Sequence, residues 1–232
     1  MVALGLRPGG ALMAGAGAGN DDHMNQCAIW AARMLLAGMQ ASGLAENISA
    51  IDPDTRRLLG LRRQGSEPTK ALELVQERLA ALEAAPPGRT APLFENTRML
   101  GDALGLTAAE RDLLALVVAM ATVDGVKETL WVARTGFSQL MPIIAAGLGV
   151  PTSEVRAALR PSGTLFATRL MRKSRGPLHD APLELIDGFA DLLLEQHESI
   201  DTIVARLFRS APDPELDTRA FPHAARDLER LV

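Results

Sequence analysis

The segment over residues 106–123 limits the fold of this chain more than any other. It reads LTAAERDLLALVVAMATV, and Thr107 with Glu110 has the spacing of a capping box, which predicts that a helix begins just after Thr107. The body of this helix, from Leu113 to Met120, is apolar on nearly all sides. A helix of this kind has no face suited to water, so it belongs in the centre of a bundle.

The composition favours helices for the rest of the chain as well. Apolar residues make up 47% of the sequence, enough to bury a core, but aromatic residues make up only 3% and Tyr is absent. The core must therefore consist of Leu, Ala, Val and Met, and three of these four are strong helix formers. We predict a mainly α fold, a multi-helix bundle that carries a small winged-helix-like part.

The spacing of apolar residues and of Gly and Pro divides the chain into four parts. We expect a disordered Gly- and Ala-rich tail over 1–24, an N-terminal helical region over 25–92, a helical domain over 93–209, and a connector with the start of a further helix over 210–232. The predicted helices cover 26–41, 69–85, 93–104, 182–197 and 199–209, and a loop with a short helix covers 44–66.

Residues 136–176 have the outline of a helix-turn-helix followed by a wing. A helix over 138–147 leads to Gly149, a second helix over 152–159, and a strand-like piece that ends at Met171. The winged-helix arrangement brings its second helix and its wing to DNA.

A run of basic residues coincides with this predicted second helix and wing. Between the first and last of its members there is no acidic residue, and the members are Arg156, Arg160, Arg169, Arg172, Lys173 and Arg175. We expect these side chains to contact nucleic acid or another partner. The alternative is a solvated basic face that pairs with acidic helices of the same chain or with a neighbouring domain, and the net charge of −4 gives nucleic acid no general attraction.

The sequence contains no recognisable catalytic, cofactor-binding or metal-binding motif. No lysine follows a glycine, which excludes a Walker A loop, and the four histidines show no metal-ligand spacing. Cys27 is the single cysteine and is interpreted as a small buried apolar residue. No run approaches the roughly 20 apolar residues of a membrane span, so we expect a cytoplasmic protein without membrane contact.

The order of segments along residues 93–232 resembles that of a known family. The series is LGLTAAERDLLAL, then LGVPTSEVRAALRPSGTL, then LMRKSRGPLHDAPLELIDGFADLLL, then IVARLFRSAPDPELDTRAFPHAARDLERL. It looks like the region that immediately precedes the ATPase module in a family of bacterial AAA+ ATPases. In that family a segment similar to FPHAARDLERL leads into further helix, and the Walker A loop follows shortly after.

The resemblance implies a role and a set of partners. The chain would be a non-catalytic N-terminal region that recognises a substrate or partner, or controls the motor, with ATP and Mg bound only by the ATPase module. Its partners would be that C-terminal module and a protein client, and it would form oligomers only together with the module. Phe221, Pro222 and His223 resemble the junction with the motor. The last helix, which ends at Val232 without a cap, fits a chain that continues into that module.

A free-standing DNA-binding regulator is the alternative function. In that case the basic residues would contact phosphates, and residues of the helix over 152–159 would read bases.

Overall fold

A computed structural model of the protein describes residues 13–42, 51–61, 70–84, 91–133, 137–173 and 183–207. Within these ranges the protein is mainly helical, which confirms the mainly α part of the predicted fold class. The helices are α1 (Met13–Ser42), α2 (Pro53–Leu58), α3 (Lys70–Ala84), α4 (Pro92–Leu104), α5 (Ala108–Thr122), α6 (Asp124–Lys127), a 3-10 helix (Glu128–Ala133), α7 (Phe137–Leu148), α8 (Thr152–Ala158), α9 (Thr164–Ala167), α10 (Phe189–Leu194) and α11 (Ile200–Leu207). Strands β1 (Met171–Lys173) and β2 (Leu183–Leu185) form an antiparallel pair.

Helix α5 lies in the centre of the larger core, as its sequence predicts. Thr107 Oγ1 accepts a hydrogen bond from the Glu110 amide at 3.2 Å, and the Glu110 carboxylate accepts one from the Thr107 amide at 2.9 Å, so both halves of the capping box are present. All residues from Leu113 to Met120 are buried. The helix packs against α4, α6, α7, α8 and α10.

Helix α1 contributes to two separate cores from its two faces. Trp30 and Met34 join the core around α5, where the Trp30 ring meets Phe94 edge-on at a centroid distance of 6.1 Å. Leu35 and Met39 lie in a second, smaller core. The second core also contains Ile51 and Leu59, which flank α2, and Ala71, Val75 and Leu82 of α3. The N-terminal helices are therefore joined to the rest of the described protein through α1.

Helix α1 also begins earlier than the sequence pattern indicates. It starts at Met13, so residues 13–24 are helical, although they fall within the expected disordered tail. The alanines of this segment favour a helix and the glycines between them oppose it, but a helix propagates readily from a part that tertiary contacts already hold. Residues 1–12 lie outside the described ranges.

The strands lie elsewhere than predicted. The piece expected to end at Met171 contains helix α9, and β1 instead begins at Met171. The predicted helix over 182–197 is wrong in its first half, where residues 183–185 form β2 and pair with β1. Gly188, with a φ of 74°, starts α10 only after this strand. Pairing across the hairpin thus overrides the helical spacing of the leucines.

Candidate functional site

The first two arginines of the basic run lie on and just after α8. Gly149, with a φ of 72°, ends α7 and turns the chain into α8, whose Val155 and Ala158 are buried. Because the inner face of this short helix is occupied by apolar side chains, Arg156 and Arg160 are exposed. Neither guanidinium has a hydrogen-bond or ion-pair partner within the described ranges.

Arg169 lies in the tight turn between α9 and β1. Leu165 before the turn and Leu170 after it are both buried, so apolar packing holds the turn at both of its ends. Arg169 has a φ of 60°, and its amide donates to the Phe166 carbonyl at 3.0 Å. Its side chain is exposed and has no polar partner among the residues that the structure describes.

Arg172 lies on β1 directly across from Glu184 on β2. Its Nε donates to the Glu184 carboxylate at 2.8 Å, and the Arg172 side chain is 65% exposed. An exposed pair of this kind is worth about 0–1 kcal/mol, so an incoming anion could replace the carboxylate at little cost. Lys173 lies at the end of β1 opposite Leu183, whereas Arg175 lies outside the described residues.

We refer to four exposed arginines, which follow one another along the segment from α8 to β1, as the basic surface: Arg156, Arg160, Arg169 and Arg172. Over residues 151–173 the sequence has five basic residues and one acidic residue, Glu154, although the whole chain has a net charge of −4. The surface contains no large exposed apolar side chain, since in the described ranges only Met24 and Val204 are of that kind. Its chemistry is therefore the binding of anionic oxygen atoms.

An acidic cleft, which sequence reasoning missed, lies between α1, α2, α3 and α6. Its volume is about 600 Å³, and Asp21, Asp22, Asp54 and Asp124 contribute carboxylates to its wall, together with Arg57 and Arg78. Nearby, burial and the charges of Asp52, Asp124 and Asp54 raise the pKa of Glu128. The carboxylates come from separate segments of the sequence, so no local pattern could have indicated the cleft.

The thiol of Cys27 is buried beside His23, one turn earlier in α1. Its Sγ lies 3.7 Å from His23 Nε2, and Cys27 is completely buried, as predicted. His23 itself is helical and only 8% exposed, although the sequence had indicated a flexible tail there. Burial raises the pKa of the Cys27 thiol to about 12 and lowers the pKa of His23. A thiol held protonated in this way is a poor nucleophile, so the pair is a packing contact.

Neither a metal site nor a membrane-spanning helix is found in the described ranges. There, no group of three or more His, Cys, Asp or Glu side chains could hold a metal ion. His197 Nε2 donates to the Leu192 carbonyl at 2.8 Å, near the end of α10. None of the helices found in the same ranges is both long enough and apolar enough to cross a membrane.

The residues proposed for a motor junction, Phe221, Pro222 and His223, lie outside the described residues. Comparison of the chain with protein-family models, with curated proteins and with solved structures finds no match.

Proposed function

We propose that this chain is a non-catalytic binding and regulatory region that works in the cytoplasm beside an AAA+ ATPase module. The order of segments over residues 93–232 supports this role. ATP and Mg would bind to the module. This chain would recognise a client or partner, and that binding would change the activity of the motor. In this proposal α7, the Gly149 turn, α8 and the β1–β2 hairpin are a winged-helix-like recognition part.

The observation that carries the proposal is the basic surface. Its arginines project from short elements whose inner residues, Val155, Leu165 and Leu170, are buried in the core around α5. Rigid elements of this kind hold polar side chains outward without using them for packing, and this arrangement is typical of binding surfaces. Arg156, Arg160 and Arg169 also have no carboxylate partner within the described ranges, so they are free to meet an anion.

The first test concerns the link to an ATPase. The source gene is read beyond codon 232 in search of a G-x-x-x-x-G-K-[ST] loop, the phosphate-binding loop of P-loop ATPases. A reading frame that continues into such a loop supports the proposal. A frame that closes without one contradicts the AAA+ part of it.

The second test asks whether the basic surface regulates that ATPase. The longer protein is prepared as wild type, as Arg156→Glu/Arg160→Glu, and as Gln76→Glu, a control that adds a negative charge at an exposed position of α3. We expect the double variant to change the ATP hydrolysis rate severalfold, while the control retains the wild-type rate. Equal rates in all three proteins, each with an unchanged circular dichroism spectrum, would show that the surface does not regulate the motor.

A free-standing DNA-binding regulator is a second candidate, favoured by the lack of large apolar side chains on the basic surface. Protein partners usually bind through apolar and aromatic anchors, whereas DNA phosphates need only positive charge and hydrogen-bond donors. This candidate predicts binding to duplex DNA that weakens with salt and when Arg169, Arg172 and Lys173 are changed to Ala. No retardation of duplex DNA at about 50 mM salt would exclude it.

A further inference from the structure

Arg169 is the non-glycine residue in the left-handed backbone region within the described ranges. Its φ is 60°, and every other positive φ there belongs to a glycine. These glycines are Gly60, Gly105, Gly149 and Gly188. A side chain with a β carbon is strained in this conformation, so a turn of this kind normally selects glycine or asparagine.

The turn itself does not need an arginine. The left-handed residue follows α9, and the turn is closed by its backbone amide, which donates to the Phe166 carbonyl at 3.0 Å. Any residue except proline supplies that amide, and glycine would supply it without strain. Among the residues that the structure describes, the Arg169 side chain has no hydrogen bond or ion pair that would compensate for its strain.

We propose that Arg169 binds DNA phosphates, and that the need for its guanidinium at this point of the basic surface outweighs the backbone strain. The inference rests on the nucleic-acid function given above as the second candidate. Strained residues that persist without a structural reason are found at binding sites. A guanidinium can donate two parallel hydrogen bonds to one phosphate group, which gives a stronger and better oriented contact than a lysine would.

The position of the strained turn fits this role. Along the chain, Arg169 lies between α8, which carries Arg156, and β1, which carries Arg172, and α9 packs against β1. Arg172 is engaged with Glu184, whereas Arg169 has its donors available. Within the described ranges, Arg169 therefore offers a guanidinium without a polar partner in the segment that links α8 to β1.

The test is the Arg169→Gly variant, because a phosphate-binding role and a purely structural role of this arginine predict different results. Glycine should keep the melting temperature unchanged or raise it by up to about 3 °C, since it relieves the strain. Affinity for a mixed-sequence duplex of about 30 base pairs at about 50 mM salt should fall about tenfold, and the salt dependence of binding should decrease by about one phosphate contact. Unchanged affinity in a stable variant would overturn the inference. Arg169→Asn, which also tolerates this backbone, should behave in the same way.

Two further variants separate this inference from the function on which it rests. Arg98→Ala removes the same charge from an exposed position of α4 and should leave the affinity within about twofold of wild type. If it weakens binding as much as Arg169→Gly, the effect is net charge, and the inference fails. If Arg156→Ala/Arg160→Ala weakens binding but Arg169→Gly does not, the DNA function survives and the role of Arg169 does not. If the wild-type protein does not bind the duplex, the DNA function itself is wrong.

Discussion

Gly125 at the start of α6 lies directly against the backbone of Asp54 in α2. A β carbon built on Gly125 would lie 2.7 Å from the Asp54 carbonyl oxygen and 3.0 Å from the Leu58 β carbon. The same glycine accepts a buried hydrogen bond at 2.9 Å from Thr55 Oγ1. The two helices therefore meet backbone to backbone, and this contact joins the N-terminal helices to the central helices.

Gly125→Ala should destabilise the protein by about 1–3 kcal/mol, the usual cost of overpacking. The clash is with backbone atoms, which cannot rotate away as a side chain can, and it outweighs the better helix propensity of alanine. Urea unfolding at neutral pH measures the difference.

Gly101→Ala is the matched control for this change, because Gly101 is also helical and also tightly packed. The nearest atoms to its added β carbon belong to the Arg111 side chain, which is flexible and 34% exposed. Its Cδ and Cγ would lie 2.3 and 2.6 Å from the added β carbon, so the side chain must shift, but the backbone need not, and we expect a smaller loss than for Gly125→Ala. Equal losses in the two variants would contradict the backbone-contact explanation.

Thr107→Ala should cost about 1 kcal/mol, because the change removes one half of the capping box of α5. The Glu110 amide would lose its acceptor, and the first turn of α5 would be less stable. Thermal unfolding measures the loss. Thr122→Ala, at the exposed other end of the same helix, is the control, and a larger loss there than at Thr107 would argue against the cap.

Local signals made much of the helical fold predictable from the sequence. The capping box fixes the start of α5, and Gly105, with a φ of 68°, ends α4 where the sequence indicated. Both signals act through the residues next to them, so they survive in any tertiary context. The exposure of Arg156 could be predicted in the same way, because the buried residues of α8, Val155 and Ala158, are three apart and so lie on one face of the helix.

Features that depend on distant contacts were not predictable. Asn96 Nδ2 donates to the Leu193 and Glu195 carbonyls at 2.9 and 2.7 Å, which ties α4 to the end of α10 across about a hundred residues of chain. β2 exists only because β1 pairs with it, and the burial of both faces of α1 depends on two cores. The left-handed φ of Arg169 likewise has no sequence signal, because glycine or asparagine would be expected there.

Cys27 should be unreactive in the folded protein. Its pKa of about 12 leaves very little thiolate at pH 8, and the side chain is completely buried. We expect alkylation by iodoacetamide to be at least about a hundredfold slower in the native protein than in urea. Rapid labelling of the native protein would show that α1 opens around residue 27 or that the thiol is activated.

His23 should make the protein less stable in mild acid. Burial lowers its pKa below the ordinary 6.5, so the unfolded chain takes up a proton at a higher pH than the folded protein. The contribution is therefore complete above pH 6.5 and is lost as the pH falls from there through the folded pKa. Urea midpoints at several pH values measure the slope. His23→Gln should reduce the slope, and an unchanged slope in that variant would refute this assignment.

Glu128 should affect the pH dependence of stability in the opposite sense to His23. Burial, together with the carboxylates of Asp52, Asp124 and Asp54, raises its pKa above the ordinary 4.5 and outweighs the opposing charge of Lys127. The folded protein therefore holds a proton that the unfolded chain has already lost, and this favourable contribution is lost as the pH rises from 4.5 through the folded pKa. At neutral pH the ionised Glu128 therefore destabilises the folded protein.

Glu128→Gln should consequently raise the free energy of unfolding at pH 7, because it removes a charge that three carboxylates repel. The gain should shrink towards zero near pH 4, where the carboxyl group is protonated in both the folded and the unfolded state. Glu77→Gln, on the exposed side of α3, is the control and should change stability little at either pH. If Glu128→Gln destabilises the protein at pH 7, the negative charge at residue 128 is compensated by a group that the described ranges do not include. The electrostatic potential in the acidic cleft beside it would then be less negative than the lining residues indicate.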